Sequence, residues 1–295
     1  MPTEESRQQA LIAAMPAVFV AIWSTGFVVA RLAMPHAPPL TFLCWRYVFS
    51  VLAFALWIML AHVPLPSKPA QWGHLAVSGV LIHAGYLGGV WGAVHAGLSA
   101  GIAALIVGLQ PLLTALWETQ RGHQRFSRPQ WMGLVLGLVG LVAVVWPKVG
   151  TGEITAQNLA LVLLALLAIT AGTLYQKQHV VPADVRAGNA VQLMAALLVT
   201  LPLAWFESAP MVWHHDVLVA MAWSVFGLSL GGSSLLMLLI QRGAASRVAS
   251  LMYLVPPCTA VLAWWMFGEA MKPVSWAGLA LCAVGVSLVL RRPVS

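Results

Sequence analysis

The sequence predicts an all-α polytopic membrane protein of ten transmembrane helices in two inverted five-helix repeats, and three observations carry that expectation. Hydrophobic residues make up 60% of the 295 and charged residues only 8%, more apolar surface than a soluble chain can bury. The apolar residues gather into ten runs, each near the roughly 20 residues a helix needs to cross the hydrocarbon core. Finally, residues 100–144 superimpose on 245–289 at a constant offset of 145, matching Pro111 with Pro256, Trp131 with Trp276, Gly133 with Gly278 and Gly140 with Gly285. Each copy then holds an odd number of spans, so the second must insert upside down.

Taken in order, span one covers 10–33. It lies behind Arg7 and runs to Arg31 and Pro35 without a small-x-small cleavage site, so it is expected to stay in the membrane rather than leave as a signal peptide. Span two (39–61) carries Arg46, and span three (73–95) carries His83, Tyr86 and the pair Gly88-Gly89. Span four (99–119) holds Gln110 and Pro111, and a short turn leads to span five (129–147). Span six (157–177) ends in Tyr175 and Gln176, followed by span seven (187–206). Span eight (217–240) repeats the glycine pair as Gly231-Gly232, span nine (245–267) holds Tyr253 and Pro256, and span ten covers 273–290. The implied organisation is a cytoplasmic tail (1–9), a first repeat (10–147), a periplasmic linker (148–156), a second repeat (157–290) and a second cytoplasmic tail (291–295).

The net charge of +7 is distributed by side. With the amino terminus in the cytoplasm, 11 of the 15 cations fall inside, only Arg31, Lys148 and Lys272 fall outside, and Arg46 lies within a span. That is a positive-inside bias, and it orients both termini to the cytoplasm of a bacterial-type inner membrane. Lipid headgroups rather than nucleic acid account for the basic balance. Cys44, Cys258 and Cys282 all fall inside spans, as small apolar side chains rather than a disulfide framework.

The string Ala21-Ile-Trp23-Ser24-Thr25-Gly26-Phe27, the Cys44-Trp-Arg46-Tyr47 of span two, and a proline ahead of a Trp-x-Gly-Leu hairpin in spans four and nine resemble the EamA type of the drug/metabolite transporter superfamily. The resemblance covers about residues 12 to 290. It implies ten-helix permeases with spans one, three, four, six, eight and nine lining a cavity and spans five and ten at the edge. It also implies a function close to YddG-like exporters of amino acids and related metabolites.

Inverted-repeat carriers bind substrate near the midplane, where helices are interrupted by Pro or Gly. His83, Tyr86 and Val90 are spaced i, i+3, i+7 and share one helix face. They either look into the cavity or pack in a helix interface. Trp23, Ser24, Gln110, Tyr175, Gln176 and Tyr253 are further candidates for the substrate site. Arg46 meets a substrate carboxylate or is held structurally by carbonyls at the outer rim. Pro111 and Pro256 occupy matching mid-helix places, where each frees a carbonyl and can kink the helix. The pairs Gly88-Gly89 and Gly231-Gly232 permit close helix approach or local opening of the backbone.

All eight carboxylates fall in tails, loops or span ends, with Glu118 the deepest. Export is therefore expected to be facilitated or weakly coupled rather than driven through a carboxylate. No cofactor or metal is implied, since no phosphate-binding loop, no H-E-x-x-H and no Gly-x-Ser-x-Gly elbow occurs. The expected partners are the lipid bilayer and a small-molecule substrate, with no obligatory protein partner. The sequence thus points to a secondary exporter of small metabolites, most of all amino acids, by alternating access. A multidrug or cationic-dye exporter is the alternative, and an intramembrane enzyme or a scaffold is the rival from another class.

Overall fold

The computed structural model describes residues 4–120, 127–146, 152–241, 254–268 and 272–290. Its helices are α1 (Glu4–Ala33), α2 (Pro39–Leu60), α3 (Pro69–Gly79), α4 (Tyr86–His95), α5 (Ala100–Val107), α6 (Gln110–Gln120) and α7 (Arg128–Val145), then α8 (Ala156–His179), α9 (Val185–Ala204), α10 (His215–Trp223), α11 (Ser234–Gln241), α12 (Val255–Phe267) and α13 (Pro273–Leu290). Two π-helical stretches, Val80–Gly85 and Ser224–Ser233, join α3 to α4 and α10 to α11. Among the described residues six stretches are long and apolar enough to cross a membrane: Pro39–Leu60, Pro69–His95, Ala100–Trp117, Ala156–His179, Val185–Ala204 and His215–Leu239. Four shorter apolar helices accompany them: Ala17–Ala33, Arg128–Ala143, Val255–Phe267 and Pro273–Gly285.

The distribution of side chains is that of a lipid-facing protein. On α2, Leu52, Leu56, Met59 and Leu60 are exposed, and on α7 so are Trp131, Val135, Leu138 and Val142, a stripe at helical spacing. The interior holds polar groups instead: Ser24, Arg46, Ser78, His83, Gln176, Asn189 and Gln192 are all buried. Three of them bond to one another. The Gln192 amide donates to the Ser78 hydroxyl at 2.9 Å and to Gln176 Oε1 at 3.0 Å, linking α9, α3 and α8. Such bonds replace the hydrophobic effect as the glue between helices in lipid.

Glycine sets the closest approaches. A Cβ on Gly89 would stand 2.6 Å from the Leu161 carbonyl oxygen, so α4 lies almost backbone to backbone on α8. The α7/α13 seam is closer still. A Cβ on Gly140 would stand 2.5 Å from the Gly278 carbonyl oxygen, and one on Gly285 would stand 2.5 Å from that of Gly133. Between them the Cys282 thiol donates to the Gly137 carbonyl at 3.3 Å. Rising numbers on α7 therefore meet falling numbers on α13, and the two helices run antiparallel. The pairing also repeats itself at the 145-residue offset, because Gly140 with Gly278 is the counterpart of Gly285 with Gly133.

The two prolines do not sit inside continuous helices as the spacing suggested. Span four is broken: α5 ends at Val107, Gly108 and Leu109 form a turn, and Pro111 lies in the first turn of α6. Pro256 likewise falls in the first turn of α12. A missing N–H costs nothing there, since the first amides of a helix have no intrahelical acceptor. The break in span four abuts the other proline, with Pro256 Cγ 2.8 Å from where a Gly108 Cβ would be.

Candidate functional site

Five of the expected residues, Trp23, Arg46, His83, Tyr86 and Val90, line one cavity. They reach it from α1, α2, the first π stretch and α4, and Leu228 and Ser233 close it from the second π stretch. Its volume is about 20 Å³, room for a single water. The walls must move apart before a metabolite can enter. Span two therefore contributes its arginine to the wall, while among the described residues none from spans four, six and nine, which the resemblance placed there, lines this cavity.

One wall is aromatic. The Trp23 and Tyr86 rings are stacked with centroids 6.1 Å apart and planes 4° from parallel, and Phe19 leans on Trp23 at 5.0 Å. The other wall is polar. Arg46 is 3% exposed and lies about 10 Å along α2 from its first residue, at the rise of a regular helix. Its Nε donates to the Ser229 hydroxyl at 3.2 Å, rather than to carbonyls at an outer rim. Among the described residues no carboxylate lies within ion-pair distance of the guanidinium. His83, 2% exposed, has its Nε2 buried without a hydrogen-bond partner. Its backbone carbonyl accepts the Tyr47 hydroxyl at 2.8 Å, which pins the π stretch to α2.

The π geometry explains why these groups gather. An i+5 register widens the turn and leaves backbone groups less regularly paired, and such bulges concentrate at functional sites. In the second stretch the Ser233 hydroxyl donates to the Leu228 carbonyl at 3.3 Å, beside the cavity. Both stretches lie at comparable depth in spans three and eight, against the two glycine pairs. Gly231 and Gly232 are inside the second and face Ile22 and Trp23 at ordinary contact distance. Gly89 provides the close approach to α8 described above, and Gly88 has open contact with Leu40.

The remaining candidates lie elsewhere. The Ser24 hydroxyl is spent on the Val20 carbonyl at 2.7 Å, and its own carbonyl accepts the Thr259 hydroxyl at 3.0 Å, tying α1 to α12. Gln110 donates to the Thr173 hydroxyl at 3.0 Å between α6 and α8. Tyr175 shares a 2.8 Å bond with His74 Nδ1 and stacks on His179 at 4.4 Å, a cluster of its own between α3 and α8. Gln176 belongs to the buried Gln192 network, and Tyr253 falls outside the described residues. Sequence reasoning missed Ser229 and Tyr47 as partners of the site. A serine inside the glycine-rich run Phe226-Gly-Leu-Ser229-Leu-Gly-Gly was the available signal, since polar groups at membrane depth face protein or water.

Comparison with known proteins gives the site its context. The model of the EamA-like transporter family matches twice, over residues 10–146 and 158–291. An uncharacterized inner membrane transporter of Escherichia coli K12, YedA, is 24% identical over 95% of this chain and 90% of its own length. A probable amino-acid metabolite efflux pump of Salmonella typhimurium is 23% identical over 90% of each chain. A solved crystal structure superimposes with a TM-score of 0.68 over 93% of this chain and 95% of its own, at 18% identity, a likeness of fold. With the family model covering both halves of an all-helical, lipid-facing chain, this protein is a membrane transporter and belongs to the EamA-like transporter family.

Proposed function

We propose that the chain exports small carboxylate-bearing metabolites, amino acids above all, across the inner membrane by alternating access through the cavity around Arg46. The observation that carries this reading is a buried guanidinium with no carboxylate within ion-pair distance among the described residues, on the wall of a cavity that also offers an aromatic stack and an unpartnered imidazole nitrogen. A buried cation is costly unless it is paired, and a substrate carboxylate supplies the pair. The stacked rings then accept the apolar side chain of the substrate. Cationic dyes are the weaker cargo, because they would bring a second positive charge next to Arg46.

In this reading the chain has ten membrane helices in two inverted five-helix repeats, with both termini cytoplasmic. The six long and four shorter apolar helices add up to that number, and the antiparallel, self-repeating contact between α7 and α13 is what an inverted pair of repeats requires. The cation distribution supports the orientation. Movement of the bundles about the broken span four would open the cavity to each side in turn.

The test is efflux from proteoliposomes loaded with a panel of amino acids and, separately, with cationic dyes. Amino-acid efflux should proceed without a pH gradient, and His83→Ala and Tyr86→Ala should each alter its kinetics while leaving folded yield intact. Dye flux without amino-acid flux, or unchanged kinetics in both variants, would overturn the proposal.

A further inference from the structure

We propose that His36, His214 and Asp216 form a binding site for a divalent transition-metal ion of the zinc class, lying outside the substrate cavity and joining two loops of different halves. His36 follows the end of α1, whereas His214 immediately precedes α10 and Asp216 lies in its first turn. One donor atom from each converges with the others to within 4.8 Å. His214 Nδ1 is 3.4 Å from Asp216 Oδ2, and His36 Nε2 is 3.8 Å from the same oxygen. Tetrahedral zinc with bonds near 2.0–2.1 Å needs donors about 3.3 Å apart, so one pair is already in place and the others close by small rotations. Two imidazoles and one carboxylate are also the donor set such an ion prefers over calcium or magnesium.

The backbone holds the two loops together independently of these side chains. The Val212 amide donates to the His36 carbonyl at 2.9 Å. Glu207 accepts from the amides of Leu40 and Thr41 at 2.9 and 2.7 Å, and from the Thr41 hydroxyl at 2.8 Å. The donors are therefore positioned before an ion arrives, and all three are part-exposed, which leaves a path from water. The competing bond is weak: His214 Nδ1 now accepts the Asp216 amide at 3.3 Å, a long contact that a metal readily displaces. Among the described residues no other group of three His, Cys, Asp or Glu converges in this way.

The experiment is calorimetric titration of the full chain in detergent with ZnCl2, read alongside thermal denaturation. Wild-type protein should take up one ion per chain and melt at a higher temperature with it. His36→Ala and His214→Ala should each weaken binding by about tenfold or more; His36→Ala should leave the melting temperature of the metal-free protein nearly unchanged, whereas His214→Ala should lower it slightly by removing the acceptor of the Asp216 amide at the start of α10. His74→Ala, in the separate cluster between α3 and α8, should bind as wild type. Absence of saturable binding, or binding that survives both of the first two variants or is lost with His74, would overturn the assignment.

Discussion

Replacing Arg46 with methionine removes the charge and keeps the length of the side chain, which separates what the guanidinium does for substrate from what it does for the fold. Its Nε is engaged by Ser229 at 3.2 Å, leaving the other N–H groups of the fork for a ligand. Loss of one partner from a buried, hydrogen-bonded charge pair costs about 2–4 kcal/mol, or about 30- to 900-fold in apparent substrate affinity. Stability should move the other way. An unpaired buried charge opposes folding, so an apolar replacement of similar volume should leave the melting temperature unchanged or raise it. The assay pairs concentration-dependent efflux from proteoliposomes with thermal denaturation in detergent. Arg46→Lys should lie between the two, because an ammonium cannot hold Ser229 and a carboxylate with the same planar fork. A methionine variant with wild-type affinity, or one that melts several degrees lower while its remaining folded fraction transports normally, would refute the reasoning.

Other expectations follow from the packing. Trp23→Ala removes half of the aromatic stack, an interaction worth about 0.5–1.5 kcal/mol, and should raise the KM for aromatic amino acids by about two- to tenfold with less effect on aliphatic ones; equal effects on both would argue against a shared aromatic wall. Gly140→Val places methyl groups where a Cβ alone would be 2.5 Å from the Gly278 carbonyl oxygen, and should destabilise by about 1–3 kcal/mol or more through overpacking, visible as a lower melting temperature and a lower monodisperse yield. Asp184 accepts from the Arg186 amide and is bound by its guanidinium at 2.7 Å, and this partner lowers its carboxyl pKa below the ordinary value. Its contribution to stability is therefore complete above the unfolded value of about 3.9 and fades as pH falls through the lowered one. Asp184→Asn should flatten that acid limb in melting curves recorded from about pH 5 downward, and an unchanged limb would assign the acid sensitivity to other groups.

Much of the architecture was legible because lipid imposes simple demands. A helix must be long and apolar to span, and the six long apolar stretches announce themselves by composition. Angular position was harder to read. A helix that is apolar nearly all round gives no moment to orient it, so Trp23 and Gln110 looked alike although only Trp23 reaches the cavity. Hydroxyls mislead for a related reason: Ser24 bonds back to Val20 within its own helix, and such local satisfaction leaves no trace in the pattern. His83, Tyr86 and Val90 share a face and line one cavity, but the π register beneath that face left no mark in the sequence, since i+5 pairing has no composition signature. Long-range partners were out of reach altogether. Ser229 is 183 positions from Arg46, and His36 meets His214 where the Val212–His36 backbone bond and the Glu207 contacts with Leu40 and Thr41 draw their loops together.

The glycine seam of α7 and α13 has an evolutionary corollary. Its two sides carry the same markings in opposite order, so a gene of half this length would already encode a surface able to dock on a second copy of its own product. What such an ancestor could not do is treat the centre of the seam unequally. Here Gly137 stands where the other side has Cys282, and a cysteine at 137 would drive its Cβ to 2.7 Å from the Leu112 methyl. One side fills this position with a thiol while the other yields it to the Leu112 side chain, an asymmetry that no identical pair possesses.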